Sequence, residues 1–280
     1  MERDEGWTGR KVALFVTAWF TACVMAAYII VPSSVLPLMM TDLAIGPAAA
    51  SGLVSALFLA EVICGIPAGI VLDRVDNRRV LAVGTAVALV AMAWGWQAAL
   101  ADAYLSLLAS RVLGGVAAIT IWTGLVNVIG GAFGPERQGT AIAAFAASFP
   151  AGFAVGQATG PLIAERGGWP AAFAAYGALM GLAFVTFWVA SRGFGTVSGS
   201  VPTASDFGSV LTDRSVLAVS VASFAAFSVY LVVNNWVPKY ITEVFQTPLR
   251  SGGFLVAAFV PVGYSYYVYR SLGGPEDAPA

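Results

Sequence analysis

The chain is a succession of long apolar stretches separated by short polar segments. Eight stretches are close to the length, roughly 17–25 residues, that crosses a bilayer as a helix. They are continuous rather than alternating, which favours α-helices over the strands of a membrane barrel. The predicted spans are Val12–Val31, Ser51–Leu72, Val80–Leu100, Tyr104–Ala132, Thr140–Ala164, Ala171–Ala190, Ser215–Val237 and Gly252–Tyr269. The pattern therefore predicts an all-α protein that crosses the membrane several times.

One polar segment differs from the short turns between spans. Residues 191–214 are rich in Gly, Ser and Thr, contain Pro202 and end in acidic and basic residues. Six spans precede this segment and two follow it. We therefore expect a six-helix bundle over residues 1–190, a cytoplasmic linker over 191–214 with a short interfacial helix near Asp206–Leu211, and a partial second bundle over 215–280.

Basic residues are distributed unevenly over the polar segments. With the N-terminus in the cytoplasm, ten Arg and Lys residues fall on the cytoplasmic side and three on the other. Cytoplasmic loops of membrane proteins carry such an excess of positive charge. The bias predicts a multi-pass protein of the cytoplasmic membrane with a cytoplasmic N-terminus.

The composition of the chain excludes several classes of protein. The chain is 59% hydrophobic and only 10% charged, whereas soluble domains have about 25% charged residues. It has no histidine, which excludes a His-based metal site, and its net charge of −1 disfavours nucleic acid as a partner. We find no nucleotide-binding loop and no paired-carboxylate motif, so neither an enzyme, an ATP-driven pump nor a cofactor is expected. The abundance of Ala and Gly is typical of a GC-rich prokaryote.

Three motifs occur in matching spans. The turn after the second span carries a Gly, an Asp-Arg pair and two further Arg residues; the fourth span has an Arg before two Gly residues; the fifth has spaced glycines before a Pro. These residues are Gly69, Asp73, Arg74, Arg78 and Arg79; Arg111, Gly114 and Gly115; and Gly156, Gly160 and Pro161. Together they resemble the major facilitator superfamily (MFS) over residues 12 to about 259, with an apparent end of the resemblance after Phe259.

The resemblance implies secondary active transport of a small solute by alternating access. It implies that the turn Gly69–Arg79 is a cytoplasmic gate, although its charges alone would also set the topology. Asp76 stands where the family usually has Gly, which predicts a strained turn. Family members usually have two six-helix halves, so the resemblance implies a C-terminally truncated chain, and a monomer at full length.

Two charges lie deep in the predicted spans. Glu61 is in the middle of the second span, where a charge costs about 2.5–3.5 kcal/mol. Gly65 and Gly69 follow at steps of four, which predicts a packing stripe and a carboxyl that faces the bundle. Glu61 is the candidate for proton coupling, with a structural ion pair as the alternative. Arg111 is its expected partner, and the resemblance implies proton coupling or substrate binding, with a purely structural role as the alternative.

Polar and small residues mark two further helix faces. Thr17, Thr21 and Tyr28 in the first span, and Tyr230 and Asn234 in the seventh, are candidates for lining a central cavity, with interhelical hydrogen bonding as the alternative. Small residues at steps of four in the fifth span, Gly152, Gly156 and Gly160, predict close helix packing, and Pro161 predicts a bend after them.

The substrate is not determined by these features. Arg111 and the absence of an acidic residue at the end of the first span favour a metabolite or organic anion. The glycine motif, which resembles that of antiporters, keeps proton-driven efflux of many drugs as an alternative. The missing spans keep a third alternative, a membrane fragment that does not transport.

Overall fold

The computed structural model describes residues 7–194 and 212–258 of the 280-residue chain, and all its regular elements are helices. The expected interfacial helix at residues 206–211 and most of the predicted eighth span lie outside these ranges. The helices are α1 Gly9–Ser34, α2 Leu36–Asp42, α3 Pro47–Arg74, α4 Asn77–Leu100, α5 Tyr104–Ala132, α6 Pro135–Ala146, α7 Ser148–Gly167, α8 Ala171–Ala190, α9 Arg214–Val244 and α10 Leu249–Ala258.

Seven spans in the described residues are long and apolar enough to cross a membrane. They are α1, α3, α4, α5, the pair α6–α7, α8 and α9, and they correspond to the first seven spans predicted from sequence. The all-helical, membrane-spanning fold class is thereby confirmed. The short apolar helix α10 covers the beginning of the predicted eighth span.

The fifth span is divided, although the sequence pattern predicts one continuous helix. Helix α6 ends at Ala146 and α7 begins at Ser148. Pro150 explains the break, because it has no N–H for the carbonyl of Ala146 and its ring crowds that carbonyl. Ala147, between the two helices, keeps near-helical dihedral angles (φ −63°, ψ −15°), so α6 and α7 together form one span.

Helix α1 is the centre of the packed bundle. Nearly every residue from Thr21 to Ser34 is buried, and α1 packs on α7 and α8. Helix α5 packs in the corresponding way on α3 and α4. Helix α9 contacts α1 mainly through its second half, where Asn234, Asn235 and Pro238 are buried. The division into bundle, linker and second bundle remains a prediction.

Candidate functional site

A cavity of about 820 Å³ lies between α1, α3, α5, α7 and α9. Its α1 face consists of small and apolar residues one helical turn apart; they are Ala22, Met25, Ala26 and Ile29. Among the described residues that line the cavity, Glu61 is the one with a formal charge. The size is in the range of pockets that hold drug-sized ligands, about 300–1,000 Å³.

Glu61 lies near the middle of α3 and is half-buried at the cavity wall. Its carboxyl group forms no hydrogen bond and no ion pair with any residue in the described ranges. An unpaired charge at this depth is costly, so such a group either meets water or a ligand or takes up a proton. The geometry thus places a carboxyl group, without a hydrogen bond or salt bridge to the described residues, beside a mostly apolar space.

Aromatic rings form part of the cavity wall, and one of them, Phe227, also packs on Phe58 of α3 with ring centroids 6.2 Å apart. The ring centroids of Trp122 and Phe149 are 5.7 Å apart, and those of Phe149 and Phe227 are 5.9 Å apart. Tyr230 continues the row, stacked on Phe227 with centroids 5.9 Å apart. All four line the cavity. Their positions on α5, α7 and α9 mean that the wall is assembled by tertiary packing.

Arg111 on α5 is fully buried beside α1 and α3. Its Nε donates to the Leu53 carbonyl at 2.9 Å, and its two terminal nitrogens donate to the carbonyls of Tyr28 and Ile29 at 3.3 and 2.7 Å. The guanidinium carbon lies 4.6 Å from the centre of the Tyr28 ring. The planar fork of donors on arginine suits this simultaneous contact with two helices.

Pro32 explains why α1 has a carbonyl to offer Arg111. A proline cannot donate to the carbonyl four residues before it, which here is that of Tyr28. The guanidinium supplies the missing donor. Helix α1 therefore continues through Pro32 to Ser34 instead of ending at Val31 as the sequence pattern predicts.

The expected ion pair between Arg111 and Glu61 is not formed. The guanidinium is engaged by backbone carbonyls and does not line the cavity, whereas Glu61 does. The physical reason is that three strong carbonyl acceptors and an aromatic ring surround Arg111 on all sides. Its predicted role in coupling or anion binding remains a prediction.

The five residues expected to line the cavity divide into two groups. Tyr230 and Asn234 line it. Thr17 and Thr21 instead donate to carbonyls of their own helix, and Thr21 also to Ala183 of α8. Tyr28 packs under Arg111, with its ring centroid 5.9 Å from that of Phe173. The three residues of α1 therefore face other helices, because their stripe is turned away from α9.

Polar contacts close the cavity at the end where α1 finishes. Gln157 Nε2 of α7 donates to the Asn234 carbonyl of α9 at 2.6 Å. That carbonyl is available because Pro238, four residues later, has no N–H. Ser33 of α1 donates to Asn235 Oδ1 at 2.5 Å. Gly253 of α10 approaches the Gln157 carbonyl so closely that any side chain there would collide with it.

The glycines of α7 bring this helix into backbone contact with α1. A Cβ at Gly152 would collide with the Cys23 carbonyl, and one at Gly160 with the Ser34 hydroxyl. At Gly156 a Cβ would lie 2.6 Å from Ile30 Cγ2. Pro161 lies within α7, next to Gly253.

The glycines expected to pack beside Glu61 do not do so. A Cβ at Gly69 would meet no atom within 4 Å, and at Gly65 the nearest atom is Ile119 Cγ1 at 4.0 Å. The contact between α3 and α5 depends instead on Gly115, whose Cβ would collide with the Leu57 carbonyl. The face of α3 that carries Gly65 and Gly69 therefore borders open space instead of a neighbouring helix.

The sequence profile of the Major Facilitator Superfamily matches residues 16–273. The chain belongs to the Major Facilitator Superfamily. The match runs past Phe259, so the expected end of the resemblance at that residue is wrong. A search of curated proteins gives no match.

Solved structures of MFS transporters share the fold of this chain. A bacterial homologue of the human lysosomal transporter Spinster, inward-facing and unoccupied, superposes with a TM-score of 0.77 at 15% identity, over 96% of this chain and 64% of that one. A D-xylose–proton symporter gives a TM-score of 0.67 at 13% identity, over 93% and 68%. A POT peptide transporter gives 0.53 at 19%, over 82% and 49%. At these identities the likeness establishes the fold alone. The chain spans about 64% of the Spinster homologue's length.

The charged turn Gly69–Arg79 contacts the end of α8 through one of its residues, Arg78. Arg78 donates to the Trp188 carbonyl at 3.1 Å and to the Ser191 hydroxyl at 3.0 Å, and lies 4.4 Å from the centre of the Trp188 ring. Asp73 and Arg74 make no side-chain hydrogen bond or ion pair to other described residues. The gate role of this turn remains a prediction.

Asp76 does not strain the turn between α3 and α4. Its φ of −49° is ordinary, and its side chain accepts a hydrogen bond from the Arg79 N–H at 3.1 Å. It therefore acts as the N-cap of α4, a position where Asp is among the best residues. The prediction of a strained turn is wrong, because Asp76 does not adopt the left-handed conformation that favours Gly and caps α4 instead.

Proposed function

We propose that this chain acts as a secondary active transporter that moves a small solute across the cytoplasmic membrane by alternating access, with Glu61 as the proton-carrying group. The chain would lie with its N-terminus in the cytoplasm, and the reaction involves no covalent chemistry. The observation that carries the proposal is the unpaired Glu61 carboxyl in a large cavity at mid-span.

Proton coupling follows from the cost of charge in a bilayer. An ionised carboxylate without a partner is unfavourable there by about 2.5–3.5 kcal/mol or more. Protonation removes this cost, and so does a ligand that supplies the missing partner. The carboxyl group of Glu61 therefore gains or loses a proton when a solute enters or leaves the cavity, or when the cavity opens to water on the other side of the membrane.

Alternating access needs a closure that is easily broken. The contacts of Gln157 and Ser33 with α9 close one end, but Gln157 Oε1 and Asn234 Oδ1 are buried there without a hydrogen-bond partner among the described residues. Each such orphan atom costs about 1–3 kcal/mol. Opening would let water reach both oxygens, so the gain from hydration offsets part of the loss of contacts.

The expectation of a metabolite or organic anion as the solute remains a prediction. It rested in part on Arg111, whose donors are bound to the carbonyls of Leu53, Tyr28 and Ile29 outside the cavity, so Arg111 adds no support to an anion. The fragment hypothesis is tested by the same transport measurement as the proposal.

The test uses the chain reconstituted in liposomes that contain a pH-sensitive dye. A panel of organic cations, sugars, carboxylates and peptides is added, and solute-dependent proton movement is recorded. Glu61→Gln should abolish that movement and Glu61→Asp should retain part of it, while Glu136→Gln, in an exposed position at the start of α6, should behave as wild type. Proton movement that persists in Glu61→Gln would exclude Glu61 as the carrier, and no movement with any solute would favour the fragment hypothesis.

A further inference from the structure

We propose that the C-terminal end of α8 carries a binding site for an anionic phospholipid, whose phosphate group is held by Arg10, Arg78 and Arg192. The site lies on the outside of the first six spans and shares no residue with the cavity. It is therefore independent of the proposed transport function, and a failure of either leaves the other intact.

Three arginines meet at the end of α8. Arg10, at the start of α1, donates from Nη2 to the Arg192 carbonyl at 2.8 Å. Arg78, at the start of α4, donates from Nη2 to the Trp188 carbonyl at 3.1 Å and from Nε to the Ser191 hydroxyl at 3.0 Å. The two carbonyls are four residues apart, which is about one helical turn. The contacts thus bring two guanidinium groups to the helix end that carries the third arginine.

Gly193 leaves room for Arg10 beside the helix end. Its φ of +79° lies in the left-handed region, and a Cβ at this position would be 2.8 Å from Arg10 Nη2. The guanidinium carbon of Arg10 also lies 5.4 Å from the centre of the Phe194 ring. The shape of the backbone and an aromatic ring therefore position Arg10, although its side chain is exposed.

The positive charge of this cluster is not balanced within the described residues. None of the three arginines forms a salt bridge there, and neither do Asp73 and Asp76, the acidic residues closest to Arg78 in sequence. The C-terminal end of a helix supplies only about half a negative elementary charge. Arg10 uses one N–H and Arg78 two in the hydrogen bonds described, out of five on each guanidinium group. The remaining donors are available to the oxygens of an anion.

Apolar surface leads from the arginines along α8. Leu182, Val185 and Val189 are 55%, 59% and 54% exposed, and their spacing of three and four places them on one face of the helix. Trp188, in the last turn, is of the residue type that is enriched at membrane–water interfaces, and its ring centre lies 4.4 Å from the guanidinium carbon of Arg78. An acyl chain along this face places the phosphate of the same lipid beside the arginines, so a lipid fits better than free phosphate.

The excess of positive charge selects lipids by net charge. Arginine binds phosphate oxygens through paired N–H···O hydrogen bonds, and both zwitterionic and anionic phospholipids offer such oxygens. Phosphatidylcholine also brings a trimethylammonium group, which the unbalanced arginines repel. Phosphatidylglycerol has an uncharged headgroup beyond its phosphate, so its binding carries no such cost.

Binding is measured by native mass spectrometry on the whole chain in detergent, with phosphatidylglycerol and phosphatidylcholine of identical acyl chains. We expect one phosphatidylglycerol to bind about tenfold more tightly than phosphatidylcholine, because three arginines each favour the anionic headgroup. Equal affinities for the two lipids would overturn the proposal. Inorganic phosphate is titrated alone, and saturable binding as tight as that of phosphatidylglycerol would also overturn it, since the apolar face would then contribute nothing.

Variants assign the site to the arginines. Arg10→Gln and Arg192→Gln should each weaken phosphatidylglycerol binding about fivefold and leave phosphatidylcholine binding unchanged. Arg10→Lys keeps the charge without the planar fork of donors and should retain part of the affinity. Arg166→Gln is the matched control, since Arg166 is an exposed arginine at the end of α7, and it should bind as wild type.

Thermal unfolding without added lipid separates lipid binding from a structural role. The Arg192 side chain forms no hydrogen bond or salt bridge with the described residues, so Arg192→Gln should unfold at the wild-type temperature while losing affinity for phosphatidylglycerol. A lower unfolding temperature in Arg10→Gln together with unchanged lipid binding would show that the arginines only hold the helix end. That result would overturn the lipid site.

Discussion

The two ionisable residues deep in the spans have opposite environments. Arg111 is enclosed by three backbone carbonyls and an aromatic ring, with no exposed surface. Glu61, on the helix against which α5 packs, borders a cavity and has no polar partner among the described residues. Depth in the membrane is therefore a poor guide to role. The difference lies in whether the protein itself supplies the counterpart of the charge.

The surroundings of each residue show the same difference. Gly114 and Gly115, which follow Arg111 on α5, are in tight contact with Tyr28 and with the Leu57 carbonyl. Gly65 and Gly69, which follow Glu61 on α3, face nearly open space. Arg111 thus belongs to a tightly packed region, and Glu61 to a loosely packed one.

The largest expected effect comes from removing the arginine. Arg111→Met should lower the free energy of unfolding by about 2–4 kcal/mol, because charge-assisted hydrogen bonds of about 1.5–3 kcal/mol each outweigh the insertion cost of the charge. Thermal unfolding in detergent measures this loss. Arg166→Met is the control, since Arg166 is exposed and bonds only to the Leu162 carbonyl of its own helix.

A double variant sharpens this result. Pro32→Ala restores an N–H for the Tyr28 carbonyl, so it should recover part of the stability lost in Arg111→Met. The two changes should then be non-additive, as expected for residues that share one acceptor. Strict additivity would show that Arg111 does not replace the donor that Pro32 lacks.

A smaller effect is expected from the glycines beside the two charges. Gly115→Ala should destabilise the protein by about 1–3 kcal/mol, because its Cβ would collide with the Leu57 carbonyl and overpacking has costs of that order. Gly69→Ala should be neutral or stabilising, by up to about 1 kcal/mol from helix propensity. Equal losses of unfolding temperature in the two variants would contradict the proposed difference between the regions.

The smallest effect concerns the hydroxyl group of Tyr28. It is buried without a hydrogen-bond partner among the described residues. Tyr28→Phe should therefore change stability by less than about 1 kcal/mol, in the stabilising direction, since the ring below Arg111 is kept. Tyr28→Leu should cost about 2 kcal/mol through loss of the cation–π contact. If Tyr28→Phe is the more harmful of the two, the hydroxyl has a partner that matters.

Span number and family could be read from the sequence because they depend on composition and short motifs. Seven apolar stretches became seven spans, and the resemblance based on three motifs is confirmed by the profile match. The break before Pro150 and the passage of α1 through Pro32 were missed. Both depend on whether the backbone carbonyl four residues before the proline finds another hydrogen-bond donor. In α1 that donor is Arg111, 79 residues beyond Pro32 in the sequence.

The site was harder to predict than the fold. Glu61 was found because a carboxyl in an apolar stretch is conspicuous, and Tyr230 and Asn234 because they are polar. The rings of Trp122, Phe149 and Phe227 gave no signal, since aromatic residues in spans usually belong to the core. Thr17 and Thr21 gave a false signal, because a hydroxyl can satisfy itself on its own helix.

Two arginines, one at the start of α1 and one at the start of α4, hold the C-terminal end of α8. Arg78 holds Trp188 and Ser191, and Arg10 donates to the Arg192 carbonyl at 2.8 Å. These contacts hold the chain in place close to Phe194, the last described residue of this part. The position of α9 is determined by the surface of α1 and α7 that it meets, through Ser33 and Gln157.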